Sequence, residues 1–178
     1  VDQPIMTYPD RIRRPALGWL AYRKPAKGLL LLRNEVVGPE RFDAAFREYI
    51  ERWAFKHPQP ADFFRTIEDV TGEDLDWFWR GWFMTTDTFD QALTALEVAD
   101  GRAVATVENR GGLVLPTTVE FRFADGTTET AAIPAEAYFS TDTVAARIAL
   151  DGRTLAGARL DPMGAAPDDD RSNDARDL

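Results

Sequence analysis

Apolar residues recur at helical spacing through the first half of the chain and at alternate positions through the second, with the change near Thr85 to Phe89. Pro15 suits a first-turn position, and the spacing predicts a helix from about Pro15 to Val37, with a kink or break expected at Pro25. Gly38-Pro39 ends that helix and starts a second. In the second, Phe42, Phe46, Tyr49, Ile50 and Trp53 form one apolar stripe. A turn at His57-Pro58-Gln59-Pro60 leads into a third helix, with Asp62 in its first turn, Phe63, Phe64, Ile67 and Val70 on its buried side, and Gly72 at its end. Leu75, Phe78, Trp79, Trp82 and Phe83 mark a fourth, from about Asp74 to Phe83. Four helices with tight Pro and Gly connections read as an all-α subdomain.

Six strands are expected in the second half: Ala92 to Ala99, Ala103 to Asn109, Thr117 to Phe123, Thr127 to Ile133, Val144 to Leu150 and Thr154 to Leu160. Asp100-Gly101, Asp125-Gly126 and Asp151-Gly152 lie between pairs of these runs and signal hairpins. Val119, Phe121 and Phe123 alternate with Glu120 and Arg122, which implies one buried and one wetted face. The expected fold class is therefore α+β, an N-terminal all-α subdomain followed by an antiparallel β-sandwich of immunoglobulin-like type. The expected divisions are 1–88 helical, 89–162 sandwich, and 163–178 an acidic, flexible tail.

Composition narrows the chemistry. Of 178 residues, 44% are hydrophobic and 29% charged, and no apolar run approaches the roughly 20 residues that span a bilayer. The formal net charge of -9 leaves no basic footprint for nucleic acid. Six Asp against two Arg from Asp161 onward put much of that acidity in the tail, which composition alone reads as solvated. With no Cys and His57 as the sole histidine, the chain lacks the donors of a catalytic zinc site, so no metal ligand is expected in it. HExxH, a phosphate loop and a Ser-His-Asp order are all missing. Glu73, Asp74 and Asp76 crowd a helix start, where the macrodipole accounts for them. Asp168-Asp169-Asp170 lacks the spaced ligands of a calcium loop.

One segment is more specific. Tyr22-Arg23-Lys24-Pro25 opens a helix that runs through Leu29, Leu32 and Arg33 to Val37-Gly38-Pro39-Glu40 and Phe42. Here the chain resembles the alanyl aminopeptidase family of zinc metallopeptidases, the gluzincin aminopeptidases, and especially a bacterial branch of it. The likeness continues through Phe42-Asp43, Ala45-Phe46-Arg47 and Tyr49, then Trp53-Ala54-Phe55-Lys56-His57-Pro58, Asp62-Phe63-Phe64 and Gly72, and Asp74-Leu75-Asp76-Trp77-Phe78. In the β half the similar residues are Asn109-Arg110-Gly111, Leu115-Pro116, Asp125-Gly126, Leu160-Asp161-Pro162 and Asp170-Arg171-Ser172-Asn173. Pro25 departs from the Gly found in better-known members.

The resemblance implies that residues 1–85 are the helical end of a thermolysin-like catalytic domain and wall its cleft. It implies that Tyr22 is catalytic, its phenol donating a hydrogen bond to the oxyanion of the tetrahedral intermediate. It also implies that zinc, its two His and Glu ligands and the general-base Glu belong to an N-terminal catalytic part that precedes this chain, with a peptide as the substrate. The chain alone is then an inactive C-terminal fragment. Export to the periplasm or beyond is implied by the resemblance only. A non-catalytic binding or scaffold module is the rival reading. The reading frame upstream of Val1 discriminates, since only the first requires HExxH there.

Overall fold

A computed structural model describes residues 3–178. The chain divides into two compact units, 1–86 and 87–178. The first is helical and the second is built of sheet, an α+β chain as the patterning implies.

In the helical unit a π-helical turn, Trp19–Arg23, leads without interruption into α1, Lys24–Leu31, and then into a second π-helical stretch, Leu32–Val37. Pro25 does not break this helix. The Lys24 N–H donates to the Trp19 carbonyl, five residues back. This wide turn gives the proline ring room against the carbonyl it would strike in a regular α-helix. Gly38, at φ 92°, ends the run, and α2, Pro39–Trp53, follows. The third helix, α3, spans Pro60–Thr71 and starts with a capping box in which the Gln59 N–H donates to Asp62 Oδ2 at 2.8 Å. Gly72, at φ 69°, ends it. A short α4, Asp76–Trp79, widens into a π-helical turn, Arg80–Met84, where one regular helix was expected. Leu20, Leu32, Ile67, Leu75, Phe78 and Trp79 are almost fully buried and form the heart of this unit.

The second unit carries seven strands: β1 Gln91–Ala99, β2 Arg102–Asn109, β3 Thr117–Phe123, β4 Thr128–Ile133, β5 Thr143–Ala149, β6 Leu155–Leu160 and β7 Ala175–Asp177. They form two antiparallel sheets in the orders β1-β2-β5 and β4-β3-β6-β7. Val107 and Ala105 from one sheet and Val119, Phe121 and Leu160 from the other share one core, which makes the unit a sandwich. Relative to the constant-type immunoglobulin arrangement, the fourth strand pairs with β3 instead of joining the first sheet. Asp100 and Gly101 both have positive φ and close the β1–β2 hairpin, and Asp125-Gly126 closes β3–β4. Asp151-Gly152 is not a hairpin: its chain crosses from β5 in one sheet to β6 in the other.

The acidic C-terminus, expected as a flexible tail, is instead tied into the sandwich. β7 pairs with β6, with Ala158 opposite Arg176. Several of the carboxylates there serve backbone donors, although Asp169 and Asp177 remain exposed. Asp161 accepts from the N–H of Ala165 and Ala166 at 2.9 and 3.0 Å, and Asp168 accepts from that of Gln91 at 2.9 Å. Composition cannot show this, because it counts charge and not the orphan N–H groups that charge can satisfy.

Asp174 is 8% exposed, and burial, reinforced by the nearby Asp168, pushes its carboxyl up from 3.8 to about 6 against the partial counterweight of Arg171. The folded chain therefore holds this proton more tightly than the unfolded one does. The destabilising cost of the charged form is absent below the unfolded value and complete above about 6. On going from pH 7.5 to pH 5 the sandwich is expected to gain thermal stability, read by calorimetry. Asp174→Asn should flatten that gain, and an unchanged slope in the variant would refute the assignment.

Candidate functional site

Tyr22 lies on the π-helical turn ahead of Pro25, with its side chain 71% exposed. Among the described residues its hydroxyl makes no hydrogen bond. Single π-turns inside helices concentrate at functional positions because they re-aim side chains. The opposite side of the same helix is fixed. Leu20 is 1% exposed, and Lys24 is buried with its Nζ 3.4 Å from the Thr85 carbonyl and 5.9 Å from the Trp82 ring centroid. The Trp82 indole N–H donates to the Lys24 carbonyl at 2.9 Å. Trp82 reaches that carbonyl by packing closely against Gly28, where a Cβ would stand 2.1 Å from its Nε1. A freely held phenol thus projects from a rigidly held turn, an arrangement that suits a hydrogen-bond donor whose partner comes from outside this chain.

The other residues weighed from sequence fall as follows. His57 is exposed and makes no hydrogen bond or ion pair among the described residues. Glu73 pairs with Arg41 at 2.8 Å. Asp74 Oδ1 accepts from the Asp76 N–H at 3.1 Å, a local cap of the kind the helix-start reading expects. Asp168 and Asp170 accept from backbone N–H groups, and the Ser172 hydroxyl and N–H hold the Asp170 carboxyl below its ordinary value.

Sequence reasoning missed a carboxylate. Glu68 Oε1 accepts from both the Leu75 N–H and the Trp79 indole N–H, each at 3.1 Å, and its carboxylate lies within 4.8 Å of those of Asp74 and Asp76. The signal was present as an acidic residue on the apolar α3, but its partners are seven and eleven positions away and no spacing rule links them. It also missed the strain at Phe55, which has φ 60° and a fully exposed ring.

No protein-family profile matches the sequence, and no curated protein matches it. Among solved structures, the crystal structure of Legionella pneumophila aminopeptidase A in complex with aspartic acid is similar, with a TM-score of 0.61 at 14% identity. The likeness covers 84% of this chain and 17% of that one, so this chain spans about a sixth of the length of the enzyme it resembles. At that identity the shared property is the fold.

Proposed function

We propose that this chain is the C-terminal part of a zinc-dependent aminopeptidase and that Tyr22 supplies its transition-state hydrogen bond. The observation that carries the reading is the exposed, unpartnered Tyr22 phenol on a helix whose far side is locked by Lys24, Gly28 and Trp82. A donor aimed at charge that develops only in the transition state accelerates the chemical step, and it does so best when it need not reorganise. The fold likeness to part of an aminopeptidase supports a peptidase-related origin.

The residues present do not fit catalytic zinc. There is no Cys, the single His is exposed and solitary, and Glu68, Asp74 and Asp76 offer only hard oxygen donors. In the proposed enzyme the metal, its ligands and the general base therefore belong to another part of the polypeptide. The purified 178-residue chain is expected to show no stoichiometric zinc by elemental analysis and no hydrolysis of aminoacyl anilides. A longer polypeptide that joins it to an HExxH-bearing part should show both. Zinc-dependent turnover by the chain alone would overturn the proposal, and so would an upstream frame without HExxH.

One observation favours the rival reading of a binding module. Phe55 stands fully exposed in a left-handed conformation, a position that costs a bulky side chain about 1–2 kcal/mol and concentrates at contact sites. Phe55→Gly should stabilise the isolated helical unit by about 1 kcal/mol in urea titration. No gain would mean that the strain is relieved in solution. If the module reading holds, the same substitution weakens partner binding.

A further inference from the structure

A groove of about 250 Å³ runs between α3 and the α4 segment, well inside the helical unit. Ala61, Phe64, Arg65 and Glu68 line it from α3 at helical spacing. Asp76, Trp79, Arg80 and Met84 line it from the other side. Its floor is the Phe64–Trp79 pair, stacked with ring centroids 4.5 Å apart and nearly buried.

The charges are sorted along the groove. The two segments run antiparallel, so Glu68 meets Leu75 and Trp79 at the end where the chain turns. Asp76 joins it there, and the two carboxylates lie within 4.8 Å of each other. Glu68 Oε1 is committed to two N–H donors, which leaves Oε2 without a hydrogen bond. One helical turn along α3 from Glu68 is Arg65, and one along the facing segment from Asp76 is Arg80. Neither guanidinium makes a hydrogen bond or ion pair among the described residues, whereas Arg122, Arg153 and Arg159 of the sandwich are each paired with a carboxylate. Ala61 and Met84, one helical turn further along each segment, complete the lining and are apolar.

We infer that this groove binds a free amino acid with an apolar side chain, its α-ammonium group at Glu68 and Asp76, its α-carboxylate between Arg65 and Arg80, and its side chain over the Phe64–Trp79 floor. Two guanidinium groups match the planar carboxylate, and a carboxylate pair at the adjacent turn matches the ammonium group beside it. The volume suits a single residue and excludes a folded partner. A small molecule that carries both charges close together matches the two sets of side chains. A peptide C-terminus lacks the ammonium group and a peptide N-terminus lacks the carboxylate. This inference is independent of the proposed role of Tyr22 and needs no metal.

The Trp79 indole N–H, hydrogen-bonded to Glu68, is a built-in reporter. With the purified chain in buffer containing a chelator, titration with L-phenylalanine should shift the Trp79 indole cross-peak in a proton–nitrogen NMR spectrum. A ligand of this size is expected to saturate it with a Kd on the order of 1 mM. N-acetyl-L-phenylalanine and phenylethylamine, each missing one charge, should bind at least tenfold more weakly. Arg65→Gln and Arg80→Gln, both at exposed positions, should each weaken L-phenylalanine binding by a similar factor while leaving thermal unfolding unchanged. Equal affinity for the N-acetyl compound or for the amine would overturn the inference. So would full affinity in both arginine variants, or an unmoved Trp79 signal at saturating amino acid.

Discussion

If the proposed role of Tyr22 holds, Tyr22→Phe in the proposed enzyme is expected to lower kcat by about 10²–10³, while KM and thermal unfolding stay close to those of the parent. The magnitude is that of losing one oxyanion donor, about 2.7–4 kcal/mol of transition-state stabilisation. The split between kcat and KM follows from the chemistry. A substrate carbonyl has little charge for the phenol to meet, whereas the tetrahedral oxyanion has a full one, so the bond contributes mainly at the barrier. Stability should be unaffected because the residue is 71% exposed and its hydroxyl makes no hydrogen bond among the described residues. Removing one oxygen therefore leaves the core and its hydrogen bonds as they were. The measurement is steady-state hydrolysis of an aminoacyl anilide by wild type and variant, with unfolding followed in parallel. A variant that keeps full kcat would remove Tyr22 from the reaction. A variant that loses activity only through KM would make it a binding residue.

How much of this was legible beforehand differs from one element to the next. The stripes in α2 and α3 and the alternation in β3 are local signals, and they place the helices and sheets where the structure has them. Pro25 was read by its usual effect, and the structure shows the exception: a five-residue hydrogen-bond step at Trp19–Arg23 absorbs the ring, so the helix carrying Tyr22 stays whole. Asp151-Gly152 has the backbone of a tight turn, but whether such a turn joins neighbouring strands or opposite sheets depends on contacts far away in sequence. The C-terminal segment was misread for the same reason. Asp168 and Asn173 gain their meaning from Gln91 and Asp90, more than eighty residues earlier in the latter case. Tyr22 was visible as a candidate through the resemblance, whereas its exposure is a fact of packing. The groove between Arg65 and Arg80 was invisible, because nothing in the sequence says that these two guanidinium groups lack partners.

Gly28→Ala, one methyl group on the buried side of α1, is expected to destabilise the helical unit by about 3 kcal/mol, although it improves local helix propensity. Exchanging Gly for Ala in a helix interior ordinarily gains about 1 kcal/mol. Here the added Cβ would stand 2.1 Å from Trp82 Nε1 and 2.4 Å from its Cδ1, so one of the two must move. Trp82 has little room to do so. It is 4% exposed, stacked on Phe78 at 6.2 Å, and bonded through its indole N–H to the Lys24 carbonyl. Overpacking of this kind costs about 1–3 kcal/mol, and stranding a buried indole N–H costs about 1–3 kcal/mol more, so the loss outweighs the propensity gain. For a unit of this size the midpoint should fall by roughly 4–8 °C per kcal/mol. The companion variant isolates the cause. With Trp82→Phe the Nε1 atom is gone, and the further cost of Gly28→Ala should shrink by at least 1 kcal/mol, the coupling expected of residues in contact. If the two costs simply add, the clash is not the reason glycine stands at this position. The same pair bears on Tyr22, which sits six residues before Gly28 on one continuous helix. A shift of that helix away from Trp82 would carry the phenol with it, so if the proposed role of Tyr22 holds, Gly28→Ala in the proposed enzyme should also lower kcat without touching substrate.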